Sequence, residues 1–431
     1  MELIKAAGLL DGILAEKAIE KYSWTLSKSE KQELNLENGT FKLMRTVFNS
    51  SASLRVFSGA KMGSVSGNDV TEEGLRKLAD DAKDAAESAS EDPCHDIAPD
   101  QGKDLFVQGT LEPDMDAFID RIQEFLGVAA KEYPEVNIVA AIGSYDRWNW
   151  LSRNSNGTEF EGKAGQYTFF VEICASDGEN TTGIDGAGFV TKDLDTPFIE
   201  MADVRRHMED IRRSIKPDTL HGKFKGTLVL TPGAAGEFIS MLMSNYMSDG
   251  VIINGTSLWL DKVGEQVASD KLTVSLRPSY ERIVTGERAT GSGFRTEDVT
   301  LIDKGVLKAH KLSLYGANKT GRPVVKNTGS DLVIEPGEQS IDEIIAGIKK
   351  GLVLGSFSGG EPGTNGEFSG VAKNAFLIED GKVTKAVTET MVNGNLGEIF
   401  KNIAGISKEL LADGSSVLPY IAVKGVVISG K

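Results

Sequence analysis

The side chains that most often bind catalytic metals are scarce in this sequence. The two cysteines, Cys94 and Cys174, lie far apart and form no CxxC pair, so neither a thiolate zinc site nor a disulfide framework is indicated. No two histidines are close enough in the chain to form a ligand pair on one helix. The four are His95, His207, His221 and His310. We expect each of them to lie on the surface or at an interface, and we do not expect a self-contained zinc hydrolase.

Signatures of nucleophilic and nucleotide chemistry are also missing. The three stretches nearest to a GxSxG nucleophile elbow place Val65, Phe357 and Phe368 where serine is required. The glycines of GIDGAG are spaced wrongly for a dinucleotide turn, and there is no Walker A loop. What remains is the glycine-rich passage 351–381, which permits positive φ and close backbone approach. It suits either a loop that presents backbone donors to a peptide or anion, or a set of tight turns.

Composition and charge narrow the class of protein. The chain has 431 residues, and its 63 acidic and 47 basic residues give a formal net charge of -16. That charge repels a phosphate backbone, so we expect no nucleic-acid partner. No apolar run approaches the roughly 18 residues that cross a bilayer, and the N-terminus predicts an amphipathic helix rather than a signal peptide. We therefore expect a cytoplasmic protein that does not bind membranes.

Residues 1–220 predict an N-terminal α+β domain. Antiparallel strands, one pair joined by an Asn38-Gly39 turn, alternate with long amphipathic helices, one of which begins near Thr71. A later helix carries four arginines. For these we favour a solvated face that pairs with Glu209 and Asp210 over an anion site.

Residues 221–431 predict a β-rich C-terminal domain that contains a buried helix. Pro232 and the Asp249-Gly250 pair are typical start and stop signals for this helix, at about 232–248. Its residues are apolar on all sides, which predicts burial in the core or at a subunit interface. A second helix is predicted at about 395–411. Together the two halves predict a two-domain α+β fold, as expected for a chain of this length.

Several passages of the second half occur together in one known family. They are GTLVLTPGAAGEFISML leading to NGTSLW, GFRTEDVTLIDKGVLKAHKLSLYGANKTG, GEFSGVAKNAFLIEDGKV and MVNGNLGEIFKNIAGIS. With these motifs in this order, the chain resembles the TldD/PmbA family, whose members are often labelled modulators of DNA gyrase. The resemblance covers most of the chain. It implies a dimeric metallopeptidase architecture with two branches: TldD chains bind a metal through HExxxH and a distant cysteine, and PmbA (TldE) chains lack these ligands.

The helix at 232–248 decides which branch the resemblance implies. An ungapped count back from Gly255 places the two family histidines at Ser240 and Asn245 and the glutamate at Met241. Hydroxyl, amide and thioether groups hold a divalent transition metal poorly. The cysteine ligand would fall at about 416–419, where there is none. The resemblance thus implies a PmbA/TldE-like chain with no catalytic residue and no cofactor of its own, and a metal ion, expected to be zinc, in a TldD-like partner.

The same resemblance implies partners, a substrate and cleft residues. The chain would form a heterodimer with a TldD-like HExxxH subunit, or a homodimer, and would help to enclose a peptide or unfolded protein. Five residues of the matched passages are candidates for lining the substrate cleft: Arg295, Tyr315, Asn318, Asn365 and Ser369. For the first three, bracing of the β-structure is an equally open interpretation.

Two other functions stay open at this stage. An independent hydrolase that uses Ser240 as its nucleophile would need an activating base, and His310 or Lys373 would have to reach it through the fold. A non-enzymatic regulator that binds gyrase or another protein is compatible with the acidic charge, which favours contact with a basic protein surface over DNA.

Overall fold

The computed structural model describes residues 2–431, and within them the strands form two sheets with helices packed against both. The α+β class expected from the sequence is confirmed. Strands of the first sheet lie between Lys21 and Thr191, and strands of the second sheet lie between Asp218 and Ser429. The assignment of two domains that meet at residue 220 stays a prediction.

The first sheet has seven strands within the described residues. They are β1 Lys21–Glu37, β2 Thr40–Ser58, β3 Lys61–Gly67, β4 Lys103–Gly109, β5 Val136–Asn154, β6 Glu159–Ala175 and β7 Asp185–Thr191. Their order is β3-β2-β1-β5-β6-β4, with β7 also beside β6. All neighbours are antiparallel except β4 and β6. The β1–β2 turn has φ values of 50° at Asn38 and 69° at Gly39, as the predicted type I′ turn requires.

Four helices cover one face of this sheet: α1 Leu3–Glu16, α2 Glu72–Ser88, α3 Met115–Glu132 and α4 Val204–Arg213. α2 begins where the sequence predicts, because the Thr71 side chain accepts the Gly74 N–H. Trp24 and Leu26 of β1 pack under α1 and α2, and Leu34 and Leu36 pack under α3 and α4. All four have even numbers, so the odd-numbered residues of β1 point to the opposite face.

The second sheet has twelve strands in the part of the chain that is described. They are β8 Asp218–Thr219, β9 Lys223–Leu230, β10 Val274–Leu276, β11 Val299–Asp303, β12 Val306–Leu307, β13 Leu332–Ile334, β14 Lys350–Gly359, β15 Glu367–Glu379, β16 Lys382–Thr388, β17 Thr390–Asn395, β18 Ile403–Ala412 and β19 Val417–Ser429. The main order is β12-β11-β10-β13-β19-β9-β14-β15-β16-β8, with β17 beside β15 and β19, and β18 beside β19.

The helices of this half are α5 Pro232–Tyr246, α6 Asp249–Ile253, α7 Leu314–Thr320, α8 Ile341–Ala346 and α9 Leu396–Lys401. α5 is the helix predicted at about 232–248. It begins at Pro232, and the Thr231 side chain caps it by accepting the Ala234 N–H. Phe238, Ile239 and Leu242 are fully buried and join α5 to the core of the second sheet.

The prediction of a helix at about 395–411 is wrong beyond residue 401. α9 ends at Lys401, and β18 pairs with β19 through Ile403↔Val423 and Ile406↔Ile421. The apolar spacing suits a helix locally. However, β-branched residues suit a strand, and a neighbouring strand that can satisfy the backbone outweighs local periodicity.

Candidate functional site

The three residues predicted to stand at the HExxxH positions lie on α5 and do not converge. Ser240 is exposed, and Met241 is half-buried against the core. The side-chain nitrogen of Asn245 is buried and has no hydrogen-bond partner among the described residues. Residues five apart on a helix point about 140° away from each other. Within residues 2–431, no three His, Cys, Asp or Glu side chains form a group that could hold a metal.

The burial of α5 is more one-sided than its sequence predicts. Gly233, Ser240 and Ser244 are exposed, whereas the apolar residues between them are buried. Spacings of seven and four place these exposed positions on one stripe of the helix. The helix therefore presents a narrow surface of small and polar residues to solvent.

The glycine-rich passage forms a hairpin rather than a free loop. β14 and β15 pair from Gly359↔Gly370 to Lys350↔Glu379. Between the two strands lie residues 360–366, and residues 380–381 form the turn after β15. The backbone of the passage therefore fits the interpretation as a set of tight turns better than that of one loop that presents backbone donors.

This hairpin lies along α5. Near the start of the helix, the ring of Phe357 packs edge-on against that of Phe238, with centroids 5.3 Å apart. Near its end, Gly366 lies against the hydroxyl of Tyr246, and a Cβ on Gly366 would be 1.9 Å from that oxygen. Gly366 also has a φ of +84°, so both its conformation and this close approach require glycine.

Glu237 is a candidate functional residue that sequence reasoning missed. Its Oε2 accepts the N–H of Phe357 at 3.3 Å. Burial raises the pKa of the Glu237 carboxyl, and the Phe357 N–H partly offsets that effect. The sequence did contain a signal, because Glu237 is the one charged residue of this helix.

The carboxylate of Glu237 accepts a hydrogen bond from a backbone N–H on an unpaired edge of β14. β14 pairs with β9 only at residues 351–354, and the Gly355 carbonyl accepts from the Thr231 hydroxyl at 3.2 Å. No strand continues on that side of residues 356–359 within the described chain. Because Phe357 donates to Glu237, its N–H points away from β15. The carboxylate thus takes the place that a carbonyl of an added strand would take.

The segment expected to carry the missing cysteine ligand also reaches α5. Leu418 of β19 contacts Gly236 so closely that a Cβ on Gly236 would lie 2.8 Å from Leu418 Cδ1. Ser416 turns away and donates to Asp413 at 3.0 Å. The fold therefore brings the segment at 416–419 beside the helix without adding a metal-binding side chain.

Arg295 lies at the junction between the two sheets. Its guanidinium forms an ion pair with Asp104 of β4. It also stands 5.7 Å from the ring centroids of both Phe106 and Phe160, a distance suited to cation–π attraction. All three partners belong to the first sheet.

Tyr315 and Asn318 of α7 make a second contact across this junction. The Tyr315 hydroxyl donates to Asp92 at 2.9 Å, and the Asn318 side chain donates to the Cys94 carbonyl at 3.0 Å. Lys319 lies 3.0 Å from the same Asp92 carboxylate. The hydrogen bond from Lys319, followed by those from the Cys94 N–H and the Tyr315 hydroxyl, holds the pKa of Asp92 far below its usual range. These hydrogen bonds and ion pairs all go to the N-terminal half.

Comparison with known proteins places these features in one family. Residues 223–430 match the PmbA/TldA metallopeptidase C-terminal domain, and residues 26–86 match the PmbA/TldA metallopeptidase domain 1. The chain belongs to the PmbA/TldD family. A metalloprotease of Methanocaldococcus jannaschii is 23% identical over 403 residues, 88% of each chain. The metalloprotease PmbA of Escherichia coli O157:H7 is 23% identical over 406 residues, 88% of this chain and 87% of that protein.

Solved structures show the same fold. TldE from Thermococcus kodakarensis superposes with a TM-score of 0.86 at 20% identity, over 98% of this chain and 100% of that one. A Bacteroides thetaiotaomicron protein, whose name links it to modulation of DNA gyrase, gives a TM-score of 0.83 at 23% identity, over 99% and 98% of the two chains. This PmbA/TldD chain is thus one of a family of metallopeptidase-like proteins. No helix within residues 2–431 is long and apolar enough to span a membrane.

Asn365 and Ser369, the other two cleft candidates in this PmbA/TldD chain, lie on the hairpin beside α5. The Asn365 carbonyl accepts from the Asn395 side chain at 2.7 Å, and its side-chain oxygen accepts the Glu367 N–H at 3.1 Å. Ser369 is exposed on β15. The structure therefore brings these two residues together with Ser240 and Met241 on one helix–hairpin unit, and places Arg295, Tyr315 and Asn318 at the junction.

A buried charged network ties α4 of this family member to its surroundings. Both ring nitrogens of His207 meet aspartates, Asp185 at 2.6 Å and Asp203 at 3.1 Å. Arg206 pairs with Asp203 and Asp210 at 2.5 and 2.9 Å, with 21% of its side chain exposed. The predicted pairing of an arginine with Asp210 is thus observed for Arg206, but the solvated face is wrong for this residue, because its guanidinium is largely buried.

The network fixes the charge of His207. Burial alone would lower the pKa of the imidazole, but the hydrogen bonds to Asp185 and Asp203 outweigh it and raise the pKa to about 9. The same contacts hold the pKa of both aspartates below the usual range against the opposing effect of burial. His207 is thus a structural imidazolium and not a metal ligand.

Proposed function

We propose that this PmbA/TldD chain is a non-metal-binding, PmbA/TldE-like subunit of a cytoplasmic TldD/TldE-type metallopeptidase that degrades or matures peptides. The observation that carries the proposal is the donor set on α5. The positions of the family ligands hold a hydroxyl, a thioether and an amide, at Ser240, Met241 and Asn245. These groups do not converge and do not suit a divalent transition metal. No step through a metal is therefore assigned to this chain.

On this proposal the metal belongs to a TldD-like HExxxH partner. A zinc ion bound there would activate a water molecule for attack on a peptide bond. The chain described here would form one wall of the substrate chamber with the exposed side of α5 and the β14–β15 hairpin. Small residues on the stripe, such as Gly233 and Ser240, leave room for a partner or a substrate to approach.

The open edge of β14 is the part of this wall that suits a peptide. An extended peptide that adds a strand at residues 356–359 would offer a carbonyl to the N–H of Phe357 and displace the carboxylate of Glu237. Main-chain hydrogen bonds of this kind bind many sequences, because they do not read side chains. Asn365 and Ser369 on the same hairpin are then candidates for contacts with the substrate side chains.

Reconstitution of the pair tests the proposal. The chain is co-expressed with the HExxxH homologue from the same genome, and peptide hydrolysis and metal content are measured for each chain alone and for the complex. We expect activity only in the complex, and a metal content that Ser240→Ala and Asn245→Ala in this chain leave unchanged. Stoichiometric zinc in this chain alone, lost in either variant, would overturn the proposal. Peptidase activity of the homogeneous chain would favour an independent hydrolase instead.

A second measurement tests the role of the β14 edge. In the active complex, Glu237→Ala frees the Phe357 N–H, so the KM for a peptide is expected to fall several-fold while kcat changes little. Glu367→Ala, which removes an exposed acid of β15, is the matched control and should leave both constants unchanged. An unchanged KM in the Glu237 variant would argue against peptide binding at this edge.

A further inference from the structure

A cavity lies where the segment at 285–293 crosses the helix-free face of the first sheet. At one end of the segment the Gln108 side chain donates to the Gly286 carbonyl at 2.9 Å, and at the other Arg55 donates to the Gly291 carbonyl at 2.7 Å. The space between the sheet and the segment has a volume of about 300 Å³ and adjoins a second space of about 200 Å³. A cavity of this size suits a small molecule. We call the two spaces together the sheet-face cavity, and both are lined by Thr25, Ser152, Thr290 and Gly291.

Two tryptophans form the floor of the sheet-face cavity. Trp148 and Trp150 pair with Ser29 and Ser27 of β1, whose odd-numbered residues lie on the face without helices. The indole of Trp150 lies flat across β6, because a Cβ on Gly162 would be 2.0 Å from its Nε1. One face of the ring is thus covered by backbone, and the other is turned to the cavity. This floor suits a ligand with a planar, apolar group that can stack on the ring.

Two guanidinium groups beside the cavity lack an acidic partner. Arg288 lines the larger space and Arg55 lines the smaller one. No ion pair joins either of them to an acid within the described chain, whereas Arg153, which also lines the smaller space, and Arg295 are paired with aspartates. Arginine binds a carboxylate through two parallel hydrogen bonds. An unpaired arginine beside an aromatic floor therefore indicates a ligand that carries a carboxylate.

The one acid among the lining residues is Glu287, and its carboxylate lies against the second half of the chain. A Cβ on Gly329 would be 3.2 Å from Glu287 Oε2. Burial raises the pKa of the Glu287 carboxyl, which the N–H of Thr328 partly offsets, and a raised pKa disfavours the charged form. The two arginines thus dominate the charge next to the cavity. The formal net charge of -16 for the whole chain favours a single carboxylate over a multiply charged phosphate.

We propose that the sheet-face cavity binds a small aromatic carboxylate. The aromatic ring stacks on the indole of Trp150, and the carboxylate accepts hydrogen bonds from the guanidinium of Arg288. A free aromatic acid and the C-terminal residue of a peptide share this chemistry. The proposal does not depend on the proposed function, because the cavity is formed within one chain and lies on the first sheet, whereas α5 packs on the second.

Binding of matched probes to the full chain tests the class of ligand. Titration calorimetry compares N-acetylphenylalanine with its amide, which lacks the negative charge, and with N-acetylcyclohexylalanine, which lacks the planar ring. We expect saturable binding of the first probe and dissociation constants about tenfold higher for the other two, because each loses one of the two contacts. A tripeptide that ends in phenylalanine distinguishes the two sources. Tighter binding than that of the single residue assigns the cavity to a peptide terminus, and weaker binding assigns it to a free acid.

Two variants locate the contacts. Arg288→Gln removes the charge, so the preference for the acid over the amide should fall from about tenfold to none. Arg282→Gln, at an exposed arginine a few residues earlier, is the control and should keep the preference. Trp150→Leu should remove the preference for the planar ring. Each result is a ratio of two dissociation constants measured on one variant, so a smaller folded fraction does not imitate it.

Three results would overturn the inference. The first is a lack of saturable binding of N-acetylphenylalanine up to millimolar concentration. The second is equal affinity of the unaltered chain for the acid and its amide, which would remove the role of the carboxylate. The third is a preference for the acid that persists in Arg288→Gln, which would place the carboxylate away from this arginine.

Discussion

The surface along α5 and the junction around Arg295 and Tyr315 derive from the same family motifs, yet their polar groups are used differently. On α5, Ser240 is exposed and Glu237 holds a backbone donor of an open strand edge. At the junction, Arg295 and Tyr315 are paired with aspartates of the other half of the chain.

The difference shows what a matched motif can and cannot indicate. A polar group that faces solvent or an open edge can exchange its partner for a substrate at little cost. A group paired across a junction can do so only by leaving a partner unsatisfied. The α5 surface is therefore the better candidate for binding, and the junction residues are better explained as braces.

The largest effect is expected in the buried charged network of α4. Arg206→Met removes the cation closest to Asp210 and leaves Asp203 with His207 alone, and breaking a buried ion pair by removing one partner costs about 3–5 kcal/mol. Urea unfolding of the variant measures the loss. Arg212→Met, on the exposed side of the same helix, is the control. A loss similar to that of the control would mean that the network contributes little to the stability of the fold.

The pH dependence of stability tests the same region. The pKa of His207 is raised from 6.5 to about 9 in the folded chain. Its stabilisation is therefore complete below the unfolded value of 6.5 and is lost as pH rises through 9. A shift of this size corresponds to about 3 kcal/mol. Asp185 and Asp203, whose pKa values are lowered, lose their contribution only at acid pH.

The measurement compares the free energy of unfolding of the wild type and His207→Asn from about pH 6 to pH 10, a range that brackets both pKa values of His207. The wild type should lose stability across this range more steeply than the variant. His221→Asn, at an exposed histidine, should follow the wild type. Parallel curves for the wild type and His207→Asn would show that the imidazolium is not structural.

The variant Tyr315→Phe distinguishes two possible roles of Tyr315, which are stabilising the junction between the sheets and binding substrate. The variant loses one hydrogen bond to Asp92, which keeps Lys319, so a cost of about 1 kcal/mol in unfolding free energy is expected. In the complex with an HExxxH partner, the KM for a peptide should not change. Tyr280→Phe, whose ring lies under Arg277, is the control. A raised KM with unchanged stability would show that Tyr315 contributes to substrate binding rather than to bracing of the junction.

Ser240→Ala should have the smallest effect. An exposed helical serine contributes little, so the free energy of unfolding should stay within about 0.5 kcal/mol of the wild type. The metal content and the peptidase activity of the complex should also stay the same. Ser244→Ala, one turn further along the same exposed stripe, is the comparison. Loss of activity in Ser240→Ala alone would revive its interpretation as a nucleophile.

Local signals predict those elements of the fold that depend on local chemistry. Thr71 and Pro232 begin their helices as predicted, because a cap and a fixed φ act within one turn. The failure at 403–412 has the opposite origin: the pairing of Ile406 with Ile421 depends on a strand that the local pattern does not show.

The candidate site divides in the same way. Counting from a motif places Ser240, Met241 and Asn245 on one helix, and the hairpin turns of the passage at 351–381 can be anticipated from its glycines. Glu237 and Phe357 are 120 residues apart in the chain, and nothing in the sequence around either residue predicts their contact. The burial of Arg206 was also missed, because a charged helix face looks the same in sequence whether water or the rest of the protein lies against it.

The sequence by itself determines which donor atoms α5 carries at Ser240, Met241 and Asn245, because the donor atoms follow from the side-chain type. Only the tertiary structure decides which polar groups remain available. Asp104 and Arg295 are 191 residues apart, and Asp92 and Tyr315 are 223 apart. These pairs form only where the two sheets pack against each other. The burial and the hydrogen bonds of such residues therefore depend on the packing of the sheets and cannot be read from either segment of the sequence alone.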